Sequence, residues 1–232
     1  MGSLLNLSGH SILPNQVKGD YLVDLGLPSG TLWAKRNIDL RQNDRFAADE
    51  YTYEASFFSF GNTDPHYTTN GKFSPYVFDS NTYSVTPGAS VPKNTNFGPI
   101  YDAARINLGM PWRIPSSQDI KELLNNCIFV DNDDNEIPSE TSDKRITGNG
   151  GVKCIRLKSK TNGNVIIFPL CGITSTAHDL IYKSLSVHVM SSTKTSTGNG
   201  SRTLYVAWNN GRVSESFSYL EEAKVVRPII TP

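Results

Sequence analysis

Tyr101-Asp102-Ala103-Ala104-Arg105-Ile106-Asn107-Leu108-Gly109-Met110-Pro111-Trp112-Arg113-Ile114-Pro115 is the stretch on which the fold of this chain turns. Its first half has helical spacing: Tyr101, Ala104 and Leu108 share one face, and Gly109 stands where a glycine ends a helix. Residues 101–108 are therefore predicted as a short helix. Pro115 is followed by Ser116-Ser117-Gln118-Asp119, in which Ser116 and Asp119 have the spacing of a capping box, with Asp in place of the usual Glu. Ile120, Leu123, Leu124 and Cys127 follow at i, i+3, i+4 and i+7, the clearest amphipathic helix in the chain.

Outward from these helices the pattern is β. Upstream lies Val23-Asp24-Leu25-Gly26-Leu27-Pro28-Ser29-Gly30-Thr31-Leu32-Trp33-Ala34. Tyr21-Leu22-Val23-Asp24 is predicted as a strand, Leu27-Pro28-Ser29-Gly30 as a turn and Thr31-Leu32-Trp33-Ala34 as the returning strand. Downstream, strands over 152–157 and 165–168 flank a loop whose Asn162-Gly163 is a strong hairpin signal. Further strands are expected over 186–190, 203–208 and 224–229, and no internal repeat is visible. Trp33, Trp112 and the two helices are expected to build the core, each indole N–H needing a partner. Arg113 and Arg227 stand next to or one residue before a hydrophobic–proline pair or a proline, and are expected as structural clamps on carbonyls or a carboxylate.

The two segments, in this order, resemble the signature of the Fibrobacter-type major paralogous domain. That family looks like a branch of the C-type-lectin-like superfamily, which also holds the formylglycine-generating enzyme fold. Further segments carry the likeness. Phe58-Ser59-Phe60-Gly61 resembles the family's Tyr-Phe-x-Trp-Gly, and Ile167-Phe168-Pro169-Leu170-Cys171-Gly172 its Phe-Leu-Pro-Ala-Ala-Gly. Met190-Ser191-Ser192-Thr193 resembles its Trp-Ser-Ser-Thr with Met for Trp, while Leu204-Tyr205-Val206 and Val225-Val226-Arg227-Pro228-Ile229 resemble its closing strands. The likeness spans about residues 21–230. It implies an α+β, C-type-lectin-like fold, with two helices packed on twisted antiparallel sheets and long loops displayed from a rigid platform.

Two regions stand apart from that frame. Residues 1–18 are polar and are expected to be an N-terminal arm or attachment peptide preceding a domain over 19–232. Residues 41–98 are aromatic-rich and aperiodic, an expected insertion that packs on itself. The N-terminus lacks a basic n-region and a continuous apolar run, so no signal peptide is expected. No stretch approaches the ~18 apolar residues that span a bilayer, so no membrane insertion is expected.

The 232 residues contain 22 Lys plus Arg and 22 Asp plus Glu, with 38% hydrophobic and 19% charged residues. A neutral chain has no global electrostatic drive toward nucleic acid or an anionic membrane. Cys127, Cys154 and Cys171 are odd in number and form no CxxC pair, which points to buried thiols rather than a disulfide framework. His10, His66, His178 and His188 form no i, i+4 ligand pair, and His188 is expected to face outward from a strand. No G-x-S-x-G, P-loop or G-x-G-x-x-G occurs. Formylglycine-type relatives use a close cysteine pair or metal-binding histidines, and neither is evident. Asp131-Asn132-Asp133-Asp134-Asn135-Glu136 concentrates oxygen ligands but lacks the EF-hand glycine, and is expected as a solvated loop. Trp208-Asn209-Asn210 resembles the Trp-Asn-Asp element of calcium-dependent lectins, with Asn for the key Asp. No catalytic residue, metal or cofactor is assigned.

Residues 195–219 combine Thr, Ser, Gly, Asn and Arg with Tyr205, Trp208 and Tyr219, the mix that adaptable binding loops use. The expected ligand face is Asn199, Arg202, Tyr205, Trp208, Asn209, Asn210, Arg212 and Tyr219. In hypervariable members of the superfamily this region carries the ligand. The expectation is a non-enzymatic binding or display protein, a tailed-phage head or tail fibre or capsid decoration. It would attach to a capsid or tail protein through the arm, contact host-surface glycan or protein, and form a homo-oligomer. A bacterial cell-surface or secreted adhesin, and an enzyme of the formylglycine-generating type, are the alternatives.

Overall fold

A computed structural model describes residues 21–65, 67–69, 72–74, 91–175 and 179–231. The expected arm, the centre of the aromatic insertion, and His10, His66 and His178 lie outside the described residues. The described residues are mostly β-sheet with two α-helices, an α+β mixture.

The described residues open with the expected hairpin: β1 (Leu22–Asp24) and β2 (Leu32–Ala34) pair with Val23 opposite Trp33. The connection bends at Gly26, whose φ is +59° and where a Cβ would lie 2.9 Å from the Thr161 side chain. β3 (Phe57–Phe58) and the small hairpin β4 (Tyr67–Thr69) and β5 (Lys72–Ser74) follow. A single 3-10 turn, Pro99–Tyr101, leads into α1 (Ala103–Leu108), so the helix expected from Tyr101 is divided. The cause is Asp102, whose carboxylate accepts the Arg105 N–H at 3.1 Å as N-cap and the Ile114 N–H at 3.0 Å. α2 (Ser117–Asn126) starts with the full reciprocal capping box between Ser116 and Asp119.

α2 stops one residue earlier than the apolar spacing suggests. Cys127 is buried but extended, the first residue of β6 (Cys127–Phe129), because the backbone there is captured by a strand. Asn126 O accepts the Lys160 N–H at 3.0 Å, and Cys127 pairs with Ser159. β7 (Ile146–Thr147), β8 (Lys153–Ser159) and β9 (Val165–Pro169) complete a four-stranded sheet around β8. β8 and β9 form the hairpin announced by Asn162-Gly163, with Gly163 at φ +77°.

β10 (Ile173–Thr174) and β11 (Leu180–Ile181) pair with each other. β12 (Val187–Lys194), β13 (Gly200–Val206), β14 (Val213–Tyr219) and β15 (Lys224–Val225) join β3 in a five-stranded sheet of order β14-β13-β12-β15-β3. Within this sheet only the β12–β15 pairing is parallel. β16 (Ile229–Ile230) closes the chain against β2, so the strand expected over 224–229 is two short strands in different sheets. The break falls at Arg227-Pro228, where proline offers no N–H to a ladder. Arg113 N–H and C=O exchange bonds with Ile229 at 3.0 and 2.9 Å, docking the 111–115 stretch on this last strand.

Two apolar clusters hold these layers. One gathers Trp33, Ile120 and Leu123 of α2, Phe168, Val189 and Leu204. The other gathers Trp112, Phe46, Phe58, Phe60, Phe97 and Met190, so aromatic residues on both flanks of the insertion are core residues. Phe168 meets Trp33 edge-on with centroids 6.1 Å apart, and Phe46 packs on Trp112 at 5.3 Å. Both indoles are buried as expected, but the Trp33 Nε1–H has no partner among the described residues.

The two arginines are clamps. Arg227 is fully buried and donates to Asn37 Oδ1 at 2.9 Å, Ala34 O at 3.2 Å and Lys35 O, with its guanidinium 4.8 Å from the Phe168 ring centre. Burial, against the opposing pull of the Glu50 charge, pushes its pKa down to about 10. Arg113 instead grips Asp119 through two bonds of 2.7 and 2.9 Å and reaches Thr231 Oγ1 at 2.6 Å. No helix among the described residues is long and apolar enough to cross a membrane.

Candidate ligand-binding face

The expected face falls on the β13–β14 hairpin. Residues directly opposed across strands share a side of the sheet. Val187 and Val189 of β12 pair with Val206 and Leu204 of β13, and this side packs on α2 and the core. His188, Tyr205 and Ser214 stand on the other side. β14 lies in what the sequence suggests is a loop-rich region; serines at 214, 216 and 218 alternate with Val213, Glu215, Phe217 and Tyr219, a period-two signature.

The eight candidate residues do not converge. Trp208, Asn209, Asn210 and Arg212 share the exposed turn joining the two strands. Asn199 and Tyr219 sit at the opposite end, roughly 20 Å away over a seven-residue strand. There Tyr219 meets Phe217 edge-on at 6.1 Å, and Thr197 donates to Asn199 Oδ1 at 2.6 Å. Arg202 shares the α2 side with Leu204, and its Nε lies 4.0 Å from Glu215. Glu215 in turn accepts from Ser117 Oγ and lies 3.6 Å from Lys121 Nζ, so Arg202 belongs to a polar cluster at the sheet–helix junction.

The turn end has the more developed geometry. Ala207 N donates to Arg212 O at 2.8 Å and Gly211 N to Ala207 O at 2.9 Å, while Asn210 Oδ1 accepts the Arg212 N–H at 3.0 Å. Gly211 has φ +64°, and a Cβ there would fall 1.9 Å from Asp143 Oδ1. Trp208 is 46% exposed and stacks nearly parallel on Tyr182, at 5° and 5.2 Å between centroids. Tyr182 is 37% exposed and is held at φ +57°, a left-handed conformation costly for an aromatic residue. Leu185, 44% exposed, closes the same loop by donating its N–H to Tyr182 O at 2.9 Å.

Arg145 brackets the two segments. Its guanidinium donates to Trp208 O at 3.1 Å and Leu185 O at 3.3 Å, while Asp143 holds it through bonds of 2.6 and 2.9 Å. The Arg145 hydrogen bond keeps the Asp143 carboxyl below the usual carboxylate range. Tyr182, Leu185 and Arg145 were not among the candidate residues: they lie far from 195–219 in sequence, and no local pattern marks them.

Behind this platform the sheet carries a buried polar row. His188 does not face outward. Its ring is half-buried against Tyr205 at 4.4 Å, and Nδ1 lies 2.7 Å from Ser218 Oγ. Burial, helped by the Lys224 charge, pushes its pKa down to about 3. Lys224 is fully buried, donates to Tyr219 O and Glu222 O at 2.7 Å each, and is lowered to about 8 by the same desolvation.

The acidic loop uses its own oxygens. Asp131 Oδ1 accepts the N–H groups of Asp133 and Asn135 at 2.9 Å each, and Arg156 pairs with Asp134 at 2.8 Å. No group of three or more His, Cys, Asp or Glu is placed to hold a metal among the described residues. All three cysteines are buried and free, and burial pushes the Cys127 and Cys154 thiols up to about 11 and Cys171 to about 12. They are therefore protonated and poor nucleophiles at neutral pH.

Comparison of the chain with protein-family models, with curated proteins and with solved structures finds no match.

Proposed function

We propose that this chain is a non-enzymatic binding and display module of C-type-lectin-like architecture, carried on a tailed-phage virion and directed at glycan or protein of a host surface. Its ligand platform is the Tyr182–Trp208 stack with the exposed Asn209, Asn210 and Arg212. The observation that carries this reading is an exposed aromatic pair on a tightly braced turn. Solvent-facing indole and phenol rings offer flat apolar area at low entropic cost, and the neighbouring amides and guanidinium offer hydrogen bonds to hydroxyls. The brace matters as much as the rings. Arg145 and Asp143 fix both backbone segments, so little ordering remains to be done on binding.

The lectin-like assignment draws support from the two consecutive helices, from β16 returning to pair with the opening hairpin, and from the long hairpin presenting its turn at the rim of the five-stranded sheet. Display rather than catalysis draws support from the chemistry of the described residues: buried protonated thiols, a half-buried neutral histidine and carboxylates already engaged by arginines.

A glycan array and a whole-cell binding assay test the proposal, with and without calcium, using the full chain and a Trp208→Ala variant. Binding that disappears in the variant while its thermal melt is unchanged supports the platform. Binding retained in the variant, or no binding to any glycan or host cell, overturns it.

A further inference from the structure

A second concavity lies apart from the Trp208 turn. It has a volume of about 600 Å³, within the range of small-ligand sites, and Glu50, Tyr51, Tyr53, Glu54, Asn149 and Lys183 are among its lining residues. The local sequence builds it rigidly on both sides. Gly148 leaves just enough room for the Tyr51 ring, since a Cβ there would fall 2.5 Å from Tyr51 Cε1. The Tyr53 hydroxyl accepts the Lys153 N–H at 2.6 Å, pinning that ring to β8. At Gly150 an added Cβ would meet nothing within 4 Å, so the rim on that side is open backbone.

The electrostatics of this groove are one-sided. Asp49, Glu50 and Glu54 face a single cation, Lys183, among the lining residues. Lys183 shows what the groove can hold: its ammonium sits 5.5 Å from the Tyr53 ring centre and 4.0 Å from Glu54 Oε1. A ring face plus a carboxylate is the combination that selects an ammonium. Arg41 takes the other Glu54 oxygen at 3.0 Å, and Asp49 Oδ1 accepts the Tyr51 N–H at 2.7 Å. Glu50 has no ion pair or hydrogen bond among the described residues. Beside the Tyr51 ring, then, stands a second carboxylate with no direct ion pair among the described residues, the Arg156 and Arg227 charges acting on this corner only at longer range.

We propose that this groove binds a primary ammonium group of a small ligand, against Tyr51 and Glu50, and that Lys183 is a built-in competitor for the same ring-and-carboxylate setting. The ammonium can come from an amino sugar or from a lysine side chain; the chemistry recognised is the same. The site is independent of the Trp208 platform, so either can fail alone.

The experiment is calorimetric titration of the full chain at low salt with glucosamine, N-acetylglucosamine and Nα-acetyl-lysine methylamide. Binding of glucosamine or the lysine derivative, with N-acetylglucosamine silent, is expected; which of the two binds names the source. Glu50→Gln should weaken that binding roughly two- to fivefold, the size of one exposed ion pair. Lys183→Ala should tighten it by a similar factor, and Trp208→Ala should leave it unchanged. Equal binding of the acetylated sugar, no binding of either amine at 10 mM ligand, as an order of magnitude for weak sites, or weaker binding after Lys183→Ala each overturns the proposal.

Discussion

His188 gives this fold a pH sensitivity that one substitution can remove. The ring packs on Tyr205, shares a hydrogen bond with Ser218 and lies near the buried Lys224, and its pKa falls from 6.5 to about 3. A histidine with a depressed folded-state pKa binds fewer protons when folded than when unfolded. Its contribution is therefore complete above pH 6.5 and is lost as the pH falls from 6.5 toward 3. At pH 5 the unfolded imidazole is almost fully protonated and the folded one is not, so the wild type loses about 2 kcal/mol relative to pH 7.5. A displacement half as large would leave that figure at about 1.8 kcal/mol, because the unfolded state dominates the difference at this pH. Most carboxylates titrate below pH 5, which keeps the window clean. The assay is urea unfolding of wild type and His188→Gln at pH 7.5 and 5.0. Glutamine keeps a polar partner for Ser218, and the three other histidines cancel in the comparison. The wild type should lose about 2 kcal/mol more than the variant. Equal losses would show that the ring is hydrated and that the account of the buried polar row is wrong.

Three further outcomes follow from packing and charge. Asp119→Asn breaks both the capping box and the two-bond Arg113 grip, and should cost about 2–3 kcal/mol at pH 7 by chemical denaturation. Burial raises the Asp119 pKa, but Arg113 and Ser116 outweigh it and hold the carboxyl below its ordinary value, so the stabilisation exists above pH 3.8 and fades in more acid solution; the gap between wild type and variant should narrow as the pH falls below 3.8. Gly148→Ala places a methyl against Tyr51 and, at 3.1 Å, against Cys154 Sγ, and should lower stability by about 1–3 kcal/mol in a thermal melt; an unchanged melting temperature would mean that the Tyr51 ring is free to move. None of the three cysteines should react with an aromatic disulfide reagent in the native protein, and all three should react in urea, because each is buried and protonated.

Much of the fold was legible along the chain because it rests on short-range physics. Ser116 and Asp119 announce the start of α2, since the capping bonds join residues three apart. Asn162-Gly163 announces the β8–β9 turn, since the left-handed backbone it requires is nearly reserved for glycine and asparagine. The burial of Trp33, Trp112 and the thiols follows from their apolar surface. The divided helix at Tyr101 marks the limit of this kind of inference. Asp102 was visible as a residue, but its second partner, Ile114 N–H, lies twelve positions away and wins the carboxylate only because the 111–115 stretch docks on β16.

The candidate site was legible in part and for the same reason. Trp208, Asn209, Asn210 and Arg212 stood out as turn residues with an exposed aromatic, and the structure keeps them together. Asn199, Tyr219 and Arg202 share that composition but not that place, because a seven-residue strand carries them to the other end or the other side of the hairpin. Composition has no direction, whereas a strand alternates sides and spans a length. The alternating serines of β14 carried that information; the composition of the region did not.

Residue types, caps, turns and the apolar mass of the core were thus decided by the sequence itself, through forces that act within a few positions. Which ring stacks on Trp208, which arginine braces its turn, why His188 is neutral and where a groove opens between residues 49–54 and 149–152 were decided only by the tertiary structure. Each of these depends on residues tens of positions apart that meet only once the sheets have paired.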